Sequence, residues 1–70
     1  MSKIRVWYKD TYKDWEDPIF VDNIFAIVAG DGYFSLAAGD DGNWWLLFED
    51  YDIHWLPRLI KGLKQAKDSL

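Results

Sequence analysis

The sequence predicts an α+β fold in which an antiparallel β-meander of three to four strands packs against one C-terminal amphipathic α-helix. Two observations lead to this prediction. Clusters of glycine and aspartate at 30–32 and 39–43 separate three apolar runs, and the apolar residues after Leu56 follow the three-and-four spacing of a helix. The chain has 70 residues, a length that corresponds to a single domain, residues 1–70.

The turns of the meander are the clearest local signals. Gly30-Asp31-Gly32 contains an Asp-Gly pair, which favours a type I′ hairpin turn because both central residues of that turn need φ > 0. The second turn is expected within Gly39-Asp40-Asp41-Gly42-Asn43. Strands are therefore predicted at 24–29, 33–38 and 44–49.

The residues before these strands give weaker patterns. Residues 3–8 alternate between polar and apolar side chains and predict a further strand, whereas residues 9–18 are predicted to form a loop. Residues 19–21 are expected to extend the neighbouring strand past an irregularity at Asp22-Asn23. The meander as a whole then covers residues 19–49.

The C-terminal part is predicted as a turn over residues 50–54 followed by a helix over residues 55–69. Pro57 sets the start of this helix, because proline is tolerated only in the first turn, where its missing N–H has no intrahelical partner. One side of the helix is apolar, and it comprises Leu56, Leu59, Ile60, Leu63, Ala66 and Leu70.

Two-residue turns fix the strand register and with it the face that each side chain occupies. One predicted face carries Phe25, Ile27, Ala29, Phe34, Leu36, Ala38, Trp45 and Leu47. The other carries Ile24, Ala26, Val28, Tyr33, Ser35, Ala37, Trp44, Leu46 and Phe48. Both faces are apolar, whereas a sheet with one solvated face alternates apolar with polar residues.

A single helix covers only one of these faces. The other is covered either by the N-terminal aromatic residues Trp7, Tyr8, Tyr12 and Trp15 folding over it, or by a second copy of the chain or another protein. The sequence leaves these alternatives open.

The composition narrows the class of protein. Cysteine is absent, which excludes disulfides and thiolate metal sites and fits a cytoplasmic location. The chain contains no apolar run long enough for a membrane span, and we expect no membrane association. Aromatic residues make up 19% of the chain, and their large rings supply the buried area that a short chain otherwise lacks.

Residues that could perform catalysis are few. His54 lies near Asp52 and could act as a general base, yet no nucleophile accompanies it, so the chain is predicted not to be an enzyme. Asp40-Asp41-Gly42-Asn43 lacks the ligand spacing of a calcium loop. We therefore expect no cofactor and no metal.

The charges are segregated along the chain. Residues 14–57 contain ten acidic residues and no lysine or arginine, whereas residues 1–13 and 58–70 each carry four basic residues and one acidic residue. The formal net charge is −4, which disfavours nucleic-acid binding because the overall field repels phosphate.

An acidic surface with aromatic residues suits a basic protein partner. The alternative interpretation is that the acids only solubilise the loops and that the basic residues complement the helix dipole.

The sequence therefore predicts a small acidic protein-binding module, an inhibitor or adaptor of the immunity-protein, antitoxin or phage counter-defence type, that engages a basic surface on its partner. The residues expected to contact the partner are Trp15, Tyr33, Trp44, Phe48, Asp31, Asp40, Asp41, Asp50 and Asp52. One alternative is a homodimer or other homo-oligomer that uses the second apolar sheet face. A further alternative is a small-ligand or sugar-binding module that uses exposed aromatic rings.

Overall fold

The computed structural model describes residues 2–40 and 42–70, which form six β-strands and one α-helix. In chain order these are β1 (Lys3–Tyr8), β2 (Thr11–Glu16), β3 (Ile19–Val21), β4 (Phe25–Gly30), β5 (Tyr33–Asp40), β6 (Asn43–Asp52) and α1 (Trp55–Asp68).

The six strands form a single mixed sheet in the order β2-β1-β6-β5-β4-β3. The α+β class and the antiparallel pairing of β4, β5 and β6 agree with the sequence prediction. The prediction of a purely antiparallel sheet of three to four strands is wrong, because β1 pairs in parallel with β6 through Val6–Trp44 and Trp7–Trp45. Parallel strands need a long connection, and here β2 to β5 provide it.

The connection between β2 and β3 shows that the sheet is curled. These strands are the two edges of the sheet, yet only Asp17 and Pro18 separate them in the chain. Two residues reach across roughly 10 Å, so the two edges must approach each other at this point. Curling gives the sheet an inner face that forms the core and an outer face that points away from it.

Strand β2 replaces most of the predicted loop over residues 9–18. All six of its residues pair with β1, from Tyr8–Thr11 to Lys3–Glu16. The hairpin turn contains no glycine; Lys9 adopts φ 55° instead. The prediction failed because β2 has few apolar residues, and its place in the sheet depends on pairing with β1 and on Trp15, which reaches the core.

Strand β3 is a separate strand and not an extension of its neighbour. Asp22 and Asn23 both have positive φ, 52° and 57°, and reverse the chain so that β3 pairs antiparallel with β4. Asparagine and aspartate tolerate this left-handed conformation better than most residues. The irregularity expected at this point is therefore a hairpin turn.

The core lies on the inner face and combines residues from both ends of the sheet. Its buried members are Val6, Trp15, Ala26, Ala37 and Trp44, with Ile4, Val28 and Leu46 packed against them. Trp15 thus reaches the core from β2. The N-terminal aromatic residues do not fold over the sheet as a lid, because they belong to two of its strands, and Trp7 and Tyr12 lie on the opposite face from Trp15. Trp44 lies directly over Gly39, where a Cβ atom would overlap the indole ring.

Strand β6 carries two register irregularities opposite β5, one between Phe34 and Leu36 and one between Leu36 and Ala37. Because Leu36 pairs with Phe48 and Ala37 pairs with Leu46, Leu47 is an extra residue in the ladder, and Phe48 joins the face of Leu36. The predicted faces were correct up to this bulge, and the face predicted for Phe48 was wrong.

Helix α1 begins at Trp55, where the position of Pro57 predicted its start. The predicted packing of the helix across the sheet differs from the structure, because no residue of α1 is buried. The helix meets the sheet through Trp55 and Leu59, which lie beside Phe34 and Phe48, and its later residues Ile60 and Leu63 are exposed. In the described residues no helix has both the length and the apolar character required to cross a membrane.

Candidate protein-binding surface

The outer face of the sheet is apolar over β3 to β6. The strand register places Val21 and Phe25, Ile19 and Ile27, and Ala38 and Trp45 in opposed pairs on this face. Ile19 is 64% exposed and Trp45 is 54% exposed, and Val21 and Phe25 are also exposed. We call this region the apolar outer face: Ile19, Val21, Phe25, Ile27, Leu36, Ala38 and Trp45.

The same side of the sheet is charged over β1 and β2. The register places Arg5 opposite Asp14 and Lys3 opposite Glu16, and Asp14 lies 3.6 Å from the Lys3 Nζ and 3.8 Å from the Arg5 Nε. The Arg5 guanidinium also lies 4.0 Å from the centre of the Tyr12 ring. These four charged residues give this part of the outer face the polar surface expected of a strand pair that faces water, and the Trp7–Tyr12 ring pair follows on the same side.

Helix α1 presents a second exposed apolar surface. Leu56 and Leu59 are half-buried, whereas Ile60 and Leu63 are exposed, Leu63 to 60%. Arg58, Lys61 and Lys64 lie on the other sides of the helix, and Lys67 lies in its last turn. An amphipathic helix buries its apolar side against another element in most folded domains, and here most of that side has no cover from the described residues.

A groove lies where the helix leaves the sheet. It has a volume of about 320 Å³ and is lined by Phe34, Phe48, Tyr51, Trp55, Arg58 and Leu59. Phe34 is buried at its base, and the Tyr51 ring lies 5.1 Å from the Phe48 ring. Aromatic clusters of this kind are typical anchor points in protein interfaces.

Three acidic residues gather at the sheet end where this groove opens. Asp52 pairs with Tyr33 in the ladder, and the Ile53 N–H donates to the Gly32 carbonyl at 2.8 Å, which brings Asp52 beside the Asp31-Gly32 turn. Asp50 lies in the adjoining bulge with φ 52°. Tyr33 and Tyr51 are both about half exposed here. The structure thus brings together Asp31, Asp50, Asp52 and Tyr33, four of the residues predicted to contact a partner.

Asp52 also fixes the entry to the helix. Its Oδ1 accepts a hydrogen bond from the His54 backbone N–H at 3.0 Å and lies 2.7 Å from the His54 Nδ1. The backbone hydrogen bond, followed by the interaction with the imidazole, lowers the pKa of Asp52. His54 and Asp52 are therefore explained by the turn that precedes α1.

Lys13 and Glu49 link the sheet at another point. The Lys13 ammonium donates a hydrogen bond to the Glu49 carboxylate, and this bond together with the negative charge of Glu49 raises the pKa of Lys13. The two residues also line a small cavity of about 60 Å³ beside Val6 and Trp15. Both side chains are exposed, so the pair adds little to stability.

Backbone geometry accounts for part of the acidic charge. Asp17, Asp22, Asp31 and Asp50 all adopt positive φ, between 50° and 53°. Aspartate tolerates this conformation better than most residues, so these four acids have a structural reason to be present. The charge segregation read from the sequence is therefore weaker evidence for a basic partner than the exposed apolar residues are.

The other predicted contact residues are distributed over the molecule. Trp15 and Trp44 are buried in the core, so their role is in the fold and they cannot contact a partner at the surface. Phe48 lines the groove. Asp40 pairs with Asn43 at the opposite end of the sheet, and Asp41 lies outside the described residues.

The sequence interpretation did not select Phe25, Trp45, Ile19 or Val21 as contact residues. A signal for two of them was available, because Phe25 and Trp45 belong to one of the two predicted apolar faces. Deciding which face is exposed requires knowing that the sheet curls and closes over the face that contains Trp44.

Among the side chains that the structure describes, His, Asp and Glu form no group of three or more that could hold a metal ion. Comparison of the chain with protein-family models, with curated proteins and with solved structures found no match.

Proposed function

We propose that this chain is a non-catalytic protein-binding module, an inhibitor or adaptor, whose apolar outer face and adjoining acidic end engage a basic, partly apolar segment of a partner protein. The observation that supports this most strongly is the exposure of Ile19, Val21, Phe25 and Trp45 on one continuous side of the sheet. Contiguous exposed apolar residues are typical of interaction sites.

The apolar outer face is not needed to close the core. The core is formed by the inner face, and the charged outer face over β1 and β2 shows that this sheet tolerates polar residues on its outer side. Exposing large apolar side chains to water has a cost, since covering one of them contributes about 1–3 kcal/mol. A partner that covers several of them gains this free energy, which supports binding as the reason for their presence.

The charges favour a partner of opposite sign. Asp22 lies in the turn at one end of the apolar outer face, and Asp31 and Asp50 lie at the other end. A basic segment laid over the face therefore meets negative charge at both ends, which accelerates association and selects among partners. The apolar contacts supply most of the affinity and the acids supply most of the steering.

The test compares two variants of the full-length chain. Trp45→Glu places a charge in the apolar outer face, and Tyr12→Glu places the same charge on the outer side of β2, beside the Arg5 guanidinium. Tagged wild type and both variants are used to capture proteins from extracts of the producing cells. Any captured protein is identified and purified, and its affinity is then measured by calorimetry at low and moderate salt.

We expect Trp45→Glu to weaken binding of the purified partner at least about tenfold, or ~1.4 kcal/mol, and Tyr12→Glu to leave it nearly unchanged. Binding should also weaken as salt rises. A partner that binds equally well to the Trp45→Glu variant, or without dependence on salt, would contradict the proposal.

A further inference from the structure

We propose that the chain forms a reciprocal homodimer, in which helix α1 of each copy covers the apolar outer face of the other. The inference rests on the proposed function, because it identifies the second copy's helix as a basic, apolar segment that the outer face can bind. The chain exposes two apolar surfaces, namely the outer face over β3 to β6 and the apolar side of α1.

The helix is long enough to cross the apolar outer face. Helix α1 has 14 residues, which gives a length of about 21 Å. The apolar outer face lies on the four strands β3 to β6, and four strands spaced by about 4.8 Å span roughly 14 Å. A helix laid across the strands therefore reaches from β3 to β6.

The two surfaces also match in charge. The helix carries Arg58, Lys61, Lys64 and Lys67 against a single acid, Asp68. The segment that contains the outer-face strands β3 to β6 has no lysine or arginine, and its acids Asp22, Asp31 and Asp50 lie at the ends of those strands. When the apolar side of the helix lies on the strands, the helix period places Lys64 and Lys67 on one flank. Turning that flank toward an acidic end of the sheet is favoured over the reverse orientation.

The helix covers only one end of its own outer face. Its Trp55 and Leu59 line the groove with Phe34 and Phe48, which the register places on the same face as Leu36. Asp52 accepts the His54 N–H in the turn before the helix, and Ile60 and Leu63 remain exposed. A second copy can cover them without any change at this turn, and by two-fold symmetry it offers its own helix in return.

Sedimentation equilibrium and light scattering of the full chain provide the test. We expect the wild type to be a dimer at about 50 µM and to dissociate on dilution and as salt rises. Leu63→Glu on the helix and Trp45→Glu on the outer face should each give a folded monomer. The matched controls Gln65→Glu, on the opposite side of the helix, and Tyr12→Glu, on the charged part of the outer face, should remain dimeric.

Mixing the two monomeric variants tests the reciprocal arrangement. The Trp45→Glu copy retains an intact helix, and the Leu63→Glu copy retains an intact outer face, so the mixture can form one of the two contacts and should yield a weak heterodimer. Circular dichroism verifies folding of each variant, and Ile19→Glu, at the most exposed outer-face residue, replaces Trp45→Glu if that variant unfolds.

Three results overturn the dimer. One is a wild type that remains monomeric at every concentration. Another is a dimer that survives Leu63→Glu, which indicates that two outer faces pair directly. The last is a mixture that does not associate. The proposed function is supported in each of these cases if a captured partner binds the wild type but not the Trp45→Glu variant. A partner that binds both proteins equally well refutes the proposed function, whatever the oligomeric state.

Discussion

The outer side of the curled sheet consists of two regions with opposite character. Over β1 and β2 it carries Lys3, Arg5, Asp14 and Glu16, arranged in cross-strand pairs of opposite charge. Over β3 to β6 the same side carries isoleucine, valine, phenylalanine and tryptophan, several of them exposed. Both regions lie behind one shared core, to which β1 and β2 contribute Val6 and Trp15 and β4 to β6 contribute Ala26, Ala37 and Trp44.

The comparison of these two regions separates the residues that folding requires from the residues that it does not require. The β1–β2 region shows that a strand pair in this sheet is compatible with charged residues on its outer side, provided that its inner residues reach the core. The apolar residues over β3 to β6 therefore need another explanation, and binding to a protein surface provides one. Four experiments test this division between inner and outer residues, from the largest expected effect to the smallest.

The adjacent residues Trp44 and Trp45 give the largest contrast. Trp44 is 6% exposed on the inner face, whereas Trp45 is 54% exposed on the outer face. We expect Trp44→Ala to lower the free energy of unfolding by about 3–5 kcal/mol and Trp45→Ala to lower it by less than about 1 kcal/mol. Urea denaturation at low protein concentration measures both. Similar losses for the two variants would contradict the assignment of inner and outer faces.

Gly39 and Gly30 test how closely the inner face is packed. A Cβ at Gly39 would overlap the Trp44 indole, whereas a Cβ at Gly30 meets no other atom within 4 Å. Gly39→Ala should cost about 1–3 kcal/mol, because the tryptophan has to move. Gly30→Ala is the matched control and should change stability by less than ~0.5 kcal/mol. Thermal unfolding of both variants checks the difference, and an unaffected Gly39→Ala protein would exclude the close contact.

Ser35 connects the inner face to the bulge that shapes the groove. Its buried hydroxyl oxygen accepts a hydrogen bond from the Asp50 N–H at 3.0 Å. Ser35→Ala leaves this N–H without its partner and should cost about 1–2 kcal/mol. Ser69→Ala, which removes an exposed hydroxyl that donates to the Gln65 carbonyl, is the control and should have little effect. Hydrogen exchange of the Asp50 amide should accelerate in the Ser35→Ala variant alone, and unchanged exchange there would count against the role of Ser35.

Asp52 gives the smallest effect, and its sign depends on pH. The pKa of Asp52 is lowered in the folded chain, first by the His54 N–H, so the carboxylate stabilises the fold above its unfolded pKa of about 4. This contribution is lost as the pH falls through the lowered folded value. The stability difference between wild type and Asp52→Ala should therefore shrink below about pH 4. Urea unfolding of both proteins from pH 3 to pH 7 measures this stability difference, and the range includes the unfolded pKa of about 4. A stability difference that does not change with pH would contradict the role of the carboxylate.

Local sequence signals predicted several elements correctly because their causes are local. The Asp31-Gly32 pair forms a turn in which both residues have positive φ, and the proline at position 57 places the start of α1 at Trp55. The register that the Asp31-Gly32 turn imposes on β4 and β5 identified their two faces. Each of these inferences uses residues that are close in sequence, where steric and hydrogen-bonding preferences act directly.

Strand β2 and the bulges in β6 were not predictable in the same way. β2 is a strand because β1 offers it hydrogen-bonding partners and Trp15 finds a place in the core, not because its own residues favour a strand. The bulge at Leu47 depends on how β5 and β6 match along their length, and it moves Phe48 to the side of Leu36. Such features depend on pairing between segments.

The sequence by itself determined the Asp31-Gly32 turn, the start of the helix, the apolar character of both sheet faces and the segregation of charge. Tertiary structure decided which apolar face became the core, because the parallel pairing of β1 with β6 brings Trp15 over the inner residues and curls the sheet around them. It also decided that α1 covers only one end of the sheet, where Trp55 and Leu59 lie beside Phe34 and Phe48. Contacts between residues far apart in the chain set both outcomes, and local preferences carry no information about such contacts.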